Sequence, residues 1–240
     1  MHLKTLYTGL LLLLIFKIGA AQGNNEIYSS FDETVGLKNT ILYNGILYMD
    51  DEKTINENNK FIFSPNKFLP GSVVYFGQYF PEVQLRFNAY NDRLLVKITD
   101  KEGTLSFELI QNEIQEFNIN GHFFTKVPPS VKIERDGFFE LIATIDEATI
   151  LKKYKKRKKR KLTNNYVYFE FYPDTPEYYL IKENNSYSLN STRDLIDVFP
   201  GSRKEIKEIF KMNKKVKETN PDEFAILLGK KISRFPKTKS

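Results

Sequence analysis

The sequence predicts an α+β protein in which a curved antiparallel β-sheet is followed by C-terminal helices. Through residues 37–190, apolar and polar side chains alternate and short turn sequences separate the runs, which is typical of a meander of strands. Over residues 191–235 the apolar period becomes that of amphipathic helices. We therefore expect one domain over residues 37–235. Barrel-like closure of the sheet is an alternative to an open meander.

The first 21 residues have the pattern of a secretory signal peptide. Lys4 supplies a positive charge, residues 10–16 are uninterruptedly apolar, and residues 19–21 are the small residues that a signal peptidase recognises. A membrane-spanning helix needs about 20 apolar residues, so this run is too short to be one. We expect cleavage after Ala21, export to the periplasm or cell surface, and no transmembrane segment in the mature chain; an uncleaved anchor is the alternative. The polar, aperiodic residues 22–36 predict a flexible leader.

The predicted strands follow one another with short connections. Residues 82–90 give the clearest signal, because apolar and polar side chains alternate strictly there. Residues 165–172 predict a late strand of the same kind. Asn, Asp and Gly suit the turns between strands because they tolerate positive φ. The predicted turns are Asn44-Gly45, Asn120-Gly121, Asp136-Gly137 and Asn184-Asn185.

Three helices are predicted after residue 190. Ser191 and Ser202 each precede an acidic residue by three positions, which is the pattern of a capping box. A proline, Pro221, stands where the first residue of the last helix is expected. Residues 236–240 predict a disordered tail.

Several classes of chemistry are excluded by composition. Cysteine is absent, which excludes disulfides, thiol nucleophiles and thiolate metal ligands. His122 is the only histidine after the predicted signal peptide, so it cannot form the usual zinc ligand sets, and we interpret it as a residue beside a turn. The oxygen-rich residues 50–58 lack the spacing of a calcium loop. We expect no catalytic, cofactor-binding or metal-binding residues, although abundant Asp and Glu leave a carboxylate-based hydrolase open.

Residues 152–161 carry nine basic side chains in ten positions, whereas residues 23–151 carry 11 basic and 19 acidic ones. Because like charges at this density repel one another, we expect a solvent-exposed loop between two strands. Such a loop suits an anionic partner outside the cytoplasm, and its single tyrosine offers too little stacking surface for specific nucleic-acid recognition. The candidate anion-docking residues are Lys152, Lys153, Lys155, Lys156, Arg157, Lys158, Lys159, Arg160 and Lys161.

Tyrosines form a second candidate surface. Tyr166, Tyr168 and Tyr172 share one face of the predicted strand, with Tyr178 and Tyr179 nearby. Such a face can stack on sugars or bases, but tyrosines on a sheet more often pack under helices, and we favour packing here.

Three stretches, residues 71–98, 117–124 and 186–211, resemble exported, functionally uncharacterised β-rich proteins of Bacteroidota. The resemblance lies in a Tyr-x-Gly-x-Tyr strand motif, here residues 75–79, and in a Leu-x-x-x-Phe helix, here residues 195–199, before a lysine-rich helix. It implies a periplasmic or cell-surface address and brings no catalytic residues.

These patterns predict an exported, non-catalytic envelope protein whose basic loop docks an anionic envelope component or another envelope protein. The alternative is a carboxylate-based hydrolase of periplasmic glycans. Two carboxylates about 5–10 Å apart in an aromatic cleft would favour the hydrolase. A sheet face filled with Phe, Leu and Ile would favour the binding module.

Overall fold

The computed structural model of this chain describes residues 39–50, 52–54, 60–64, 66–163 and 166–235. The predicted signal peptide (1–21), leader (22–36) and tail (236–240) lie outside the described residues. So do Asp51 and residues 55–59 of the oxygen-rich stretch.

Antiparallel strands are the commonest elements in this part of the chain, as the alternating pattern predicts. Their bounds are β1 (Ile46–Leu47), β2 (Leu69–Tyr75), β3 (Gln78–Asn88), β4 (Arg93–Asp100), β5 (Gly103–Glu108), β6 (Ile114–Ile119), β7 (His122–Lys126), β8 (Phe138–Ile145), β9 (Ala148–Lys153), β10 (Lys156–Thr163), β11 (Tyr166–Pro173), β12 (Glu177–Lys182) and β13 (Asn185–Ser188).

Eleven strands form one large sheet in the order β1-β5-β4-β3-β2-β6-β7-β8-β9-β12-β13. Most neighbours in this sheet are consecutive in the chain, so the predicted meander is confirmed. The sheet ends at β1 and β13 and does not close on itself, so the barrel-like alternative is wrong. Strands β10 and β11 form a separate two-stranded sheet and lie between β9 and β12 in the chain, and a single parallel bridge joins Phe169 of β11 to Thr54.

Helices follow the sheet, which confirms the α+β class. They are α1 (Thr192–Val198), α2 (Arg203–Met212), α3 (Lys214–Thr219) and α4 (Pro221–Ile232). Ser191 caps α1 as predicted, because its Oγ accepts a hydrogen bond of 3.1 Å from the Asp194 backbone N–H. Ser202 makes no such bond, since it ends the 3₁₀ turn Pro200–Ser202 before α2.

Of the predicted turns, Asn120-Gly121 is confirmed and Asn44-Gly45 is not. Asn120 and Gly121 have φ of 52° and 83° and join β6 to β7, as predicted. The predicted hairpin at Asn44-Gly45 is wrong, because Ile41–Asn44 forms a 3₁₀ turn and Gly45 has an extended φ of −69°. A Cβ on Gly45 would lie 2.7 Å from the Glu108 carbonyl oxygen, so this glycine permits close approach of β1 to β5 instead.

Apolar side chains fill the sheet in two main clusters. The first covers β2 to β8, and its largest fully buried members include Phe80, Phe87, Phe117, Phe124 and Phe138. The second lies between the sheet and the helices, where α4 packs on β9. The members of this helix-side cluster include Ile150, Leu180, Leu195, Ile206, Phe224 and Leu228.

The basic run is not a loop, so the predicted exposed loop over residues 152–161 is wrong. Lys152 and Lys153 end β9, and six further residues of the run belong to β10. The prediction failed because alternate positions of the run find different surroundings, so the like charges do not share one surface. Asp174 N donates to the Lys155 carbonyl (3.0 Å), which continues the β9–β12 pairing into the β10–β11 hairpin.

Candidate functional site

The β10–β11 hairpin has two chemically different faces, because directly opposed residues of an antiparallel pair project to the same side. We call one the inner face. It carries Lys156, Lys158, Arg160 and Leu162 opposite Pro173, Phe171, Phe169 and Val167. We call the other the outer face. It carries Arg157, Lys159 and Lys161 opposite Tyr172, Glu170 and Tyr168, with Tyr166 beyond them.

The inner face is anchored to the body by apolar and backbone contacts. Phe171 is fully buried and meets the Tyr90 ring edge-on, with 5.1 Å between the ring centroids. The Phe169 backbone N–H donates to the Lys53 carbonyl at 2.9 Å. These contacts hold the hairpin against the turn between β3 and β4 and against the segment that precedes β2.

Two basic residues of the run are part of this anchor. The Lys158 ammonium forms an ion pair with Glu52 and lies 4.0 Å from the centroid of the Phe169 ring. The Lys156 ammonium donates to the Phe61 carbonyl oxygen at 2.5 Å. Their charges therefore bind this chain and are not directed to solvent.

The same contacts shift the pKa values of the charged groups at the inner face. Burial opposes the charge of Glu52, but hydrogen bonds from Lys158 and Lys60 outweigh it and hold the pKa of this carboxyl below its ordinary value. Burial lowers the pKa of Lys156, since a charged ammonium loses hydration there. The inner contacts thus depend on a partly buried group of charges.

The outer face presents its charges to solvent. The Arg157 side chain is 72% exposed and makes one ion pair of 3.4 Å, with Asp174. Lys159 is exposed and pairs with no acid among the described residues. Lys161 lies 3.5 Å from Glu170, which also accepts a hydrogen bond from the Tyr172 hydroxyl. Three cations and one carboxylate are therefore arranged beside the tyrosines.

The nine candidate docking residues thus fall into different settings, and anion docking itself stays a prediction. Lys152 and Lys153 are buried at the end of β9, while Lys155 stands before β10. At the far end of the inner face, Arg160 is exposed and pairs with no acid in the described chain. The residues with the most accessible charge are Arg157, Lys159, Arg160 and Lys161.

The buried lysines belong to a polar network that sequence reasoning missed. Glu140, Lys152 and Tyr178 lie opposite one another in a row across β8, β9 and β12. The Lys152 ammonium lies 2.9 Å from an Asp222 carboxylate oxygen and 3.9 Å from Glu140. Tyr154 donates to Glu140 at 2.7 Å. We call this network, together with His122, the polar seam, because it separates the two apolar clusters.

The hydrogen bonds of the polar seam occupy its acid and base groups. Glu140 binds His122 Nδ1 through one oxygen and Tyr154 through the other, and its side chain is only 7% exposed. Burial raises the pKa of Tyr154 and of Tyr178, and the adjacent carboxylates Glu140 and Asp222 raise them further. Both phenols therefore stay protonated and donate hydrogen bonds. The seam is arranged as a satisfied structural network.

Two clefts of about 470 and 480 Å³ flank the base of the hairpin and share Lys155, Asp174 and Pro176. Tyr154 lines the first cleft and Tyr178 the second, so each cleft reaches one tyrosine of the polar seam. These are the places where a ligand could approach the seam most closely.

Other classes of site were sought in the same residues. Asp, Glu and His side chains in the described ranges do not gather in threes that could hold a metal ion. Asp50 and Glu52, which belong to the oxygen-rich stretch, bind the Lys60 ammonium at 2.7 and 3.2 Å. None of the described helices combines the length and apolar character that crossing a bilayer requires.

The five candidate tyrosines have two different surroundings, as the basic residues do. Tyr178 and Tyr179 are buried, and Tyr178 donates to Asp222 of α4, as expected for packing under a helix. Tyr166, Tyr168 and Tyr172 instead share the outer face with the basic residues. Their alternation was visible in the sequence, but the register of β11 against β10 was not.

This chain matches no protein-family model, no curated protein and no solved structure.

Proposed function

We propose that this protein is an exported, non-catalytic module of the cell envelope that docks an anionic partner through the outer face of the β10–β11 hairpin. One observation carries the proposal. The body neutralises the inner-face Lys158 through an ion pair, whereas the neighbouring Lys159 is exposed and forms no direct ion pair with a described residue. An exposed cluster of cations on one face of a β-ribbon attracts polyanions over long range.

Export is part of this proposal and rests on the pattern of residues 1–21. The resemblance to exported Bacteroidota proteins points to the same periplasmic or cell-surface address. Expression in a Gram-negative host and N-terminal sequencing of the product test it. A chain beginning at Gln22 is expected, and a cytoplasmic product that retains residues 1–21 would contradict export.

Absence of catalysis is supported by how the sheet is filled. Phe, Leu, Val and Ile occupy the face that a substrate cleft would need. In the polar seam, both Glu140 oxygens have hydrogen-bond partners, which leaves this carboxylate poorly placed to exchange a proton with a ligand. A binding role therefore agrees better with the geometry than a hydrolytic one.

Docking can be measured with inorganic polyphosphate, a simple polyanion that contains no sugar. We expect the mature chain to bind it, with an affinity that falls steeply as salt rises. A triple variant, Arg157→Ser with Lys159→Ser and Lys161→Ser, should bind at least tenfold more weakly and depend less on salt. The matched control removes three exposed lysines from α2, with Lys204→Ser, Lys207→Ser and Lys211→Ser. An equal loss of affinity in both variants would show that net charge, not the hairpin, determines binding.

One observation favours the hydrolase alternative, since Glu140 and Asp222 both approach the ammonium of Lys152. Paired carboxylates are the usual catalytic groups of glycosidases. Release of reducing ends from envelope glycans tests this alternative directly, with Glu140→Gln and Asp222→Asn as variants. We expect no turnover by the unmodified protein. Turnover that disappears in both folded variants would replace the binding module with an enzyme.

A further inference from the structure

We infer that the anionic partner is an acidic polysaccharide that lies along the outer face, with its sugar rings on the tyrosines and its acidic groups beside the cations. This inference rests on the proposed function and narrows the class of partner. It depends on three features of the outer face, namely the spacing of the cations, the exposure of the tyrosines and the position of one carboxylate.

The cations of the outer face form a regular row. Arg157, Lys159 and Lys161 are alternate residues of β10, so successive charges lie roughly 6.6–6.8 Å apart along the strand. Each stands opposite a residue of β11 that can contact the same ligand. A linear polymer lying along the ribbon can therefore meet several cations in turn, which a compact anion cannot do.

The tyrosines supply flat surfaces next to this row. Tyr172 and Tyr168 lie opposite Arg157 and Lys161, and Tyr166 is 66% exposed near the far end. A tyrosine ring offers an apolar face with a polar hydroxyl at its edge, which suits a sugar ring with apolar C–H faces and hydroxyl edges. None of these three rings is fully buried, although the Lys53 ammonium already lies over one face of the Tyr166 ring, 5.4 Å from its centroid.

Glu170 distinguishes between the possible polymers. It lies opposite Lys159, and one of its oxygens, Oε2, accepts from the Tyr172 hydroxyl and lies near Lys161. The Tyr172 hydrogen bond, opposed only in part by burial and aided by Lys161, holds the pKa of Glu170 below its ordinary value. Glu170 therefore carries a negative charge on the outer face. Its other oxygen, Oε1, is not occupied by any described residue.

An ionised carboxylate in this position suits a polysaccharide better than a nucleic acid. A nucleic acid presents a phosphate at every nucleotide, and each phosphate near Glu170 would be repelled. An acidic polysaccharide such as polygalacturonate also carries an acid on every sugar, but each sugar keeps free hydroxyls that can donate to Oε1, whereas the phosphodiester backbone of DNA has none. Single-stranded nucleic acid also stacks on aromatic rings, so the carboxylate, not the tyrosines, separates the two classes.

The test compares polygalacturonate with oligodeoxythymidylate as probes, at one salt concentration, by titration calorimetry on the mature chain. Polygalacturonate should bind more tightly. Glu170→Gln should weaken polygalacturonate binding by about three- to tenfold, because a charged acceptor is lost. The same substitution should strengthen oligodeoxythymidylate binding, because a repulsive charge is removed. The control is Glu147→Gln, at an exposed turn position between β8 and β9, which should change neither.

A second variant, Tyr166→Ala with Tyr168→Ala, should weaken polygalacturonate binding while leaving the thermal midpoint within about 2 °C. Tighter polygalacturonate binding by Glu170→Gln, or stronger binding of the oligonucleotide by the unmodified chain, would overturn the inference. Binding to inorganic polyphosphate without binding to polygalacturonate would also overturn it and leave the proposed function intact. Failure to bind any of the three polymers would refute both.

Discussion

Lys158 and Lys159 are adjacent in the chain, yet they project from opposite faces of the β10–β11 hairpin. Lys158 binds Glu52 and lies against the Phe169 ring, whereas Lys159 is exposed to solvent. One residue therefore contributes to the attachment of the hairpin, and its neighbour is available to a partner. The basic run has two structural settings that composition alone cannot separate.

The inner lysines should contribute to stability. Replacing Lys156 and Lys158 with serine removes a partly buried ion pair and a hydrogen bond to the Phe61 carbonyl. We expect a loss of about 2 kcal/mol, which for a chain of this size lowers the thermal midpoint by about 4–8 °C. Circular dichroism on heating measures it. The matched control, Arg157→Ser with Lys159→Ser on the outer face, should shift the midpoint by about 1 °C or less, and equal shifts would contradict the assignment of faces.

Acid should weaken the fold through Glu177. Burial opposes its charge, but hydrogen bonds from Lys155, Arg135 and Tyr179 lower the pKa of its carboxyl from 4.5 to about 2. The stabilisation, at most about 3 kcal/mol, is thus complete above pH 4.5 and is lost as the pH falls toward 2. Urea unfolding at pH 7 and pH 3 should show a smaller difference for Glu177→Gln than for the unmodified protein. Asp197→Asn, at an exposed position on α1, should leave that difference unchanged.

Gly137 should not tolerate a side chain. Its φ is +91°, and a Cβ there would lie 1.7 Å from an Asp92 carboxylate oxygen. Gly137→Ala adds backbone strain and displaces Asp92 from the Phe138 N–H and the Lys153 ammonium, so we expect a loss of about 2–4 kcal/mol by urea titration. Gly201→Ala has open space around its Cβ and should be neutral within about 0.5 kcal/mol. Similar losses at both positions would rule out the steric explanation.

Ser191 and Ser202 test whether side-chain capping stabilises the N-termini of α1 and α2. Ser191→Ala should cost about 1 kcal/mol, because the Asp194 N–H loses its acceptor. Ser202→Ala should cost only a few tenths, since Ser202 makes no capping bond. The two midpoints in urea measure the difference. A larger effect at Ser202 would mean that the second capping box forms after all.

The sequence predicted the fold class, the meander and the cap at Ser191 because these depend on local patterns. It did not predict where the polar seam lies, since the row of Glu140, Lys152 and Tyr178 depends on the register of β8 against β9 and of β9 against β12. From the sequence alone, the basic run and the tyrosines are predicted as two separate surfaces. Their shared face depends on the pairing of Lys159 with Glu170, a matter of register that neither strand specifies alone.

The alternation of faces along β10 has a consequence for how this chain can change during evolution. One residue inserted or deleted between Lys155 and Lys158 would move every later side chain of the strand to the other side. Lys159 would then point toward the body and Lys158 toward solvent, although the composition would differ by only one residue. Exchange of lysine for arginine at outer positions should be common among descendants of this sequence. Changes in the length of β10 should occur in steps of two residues.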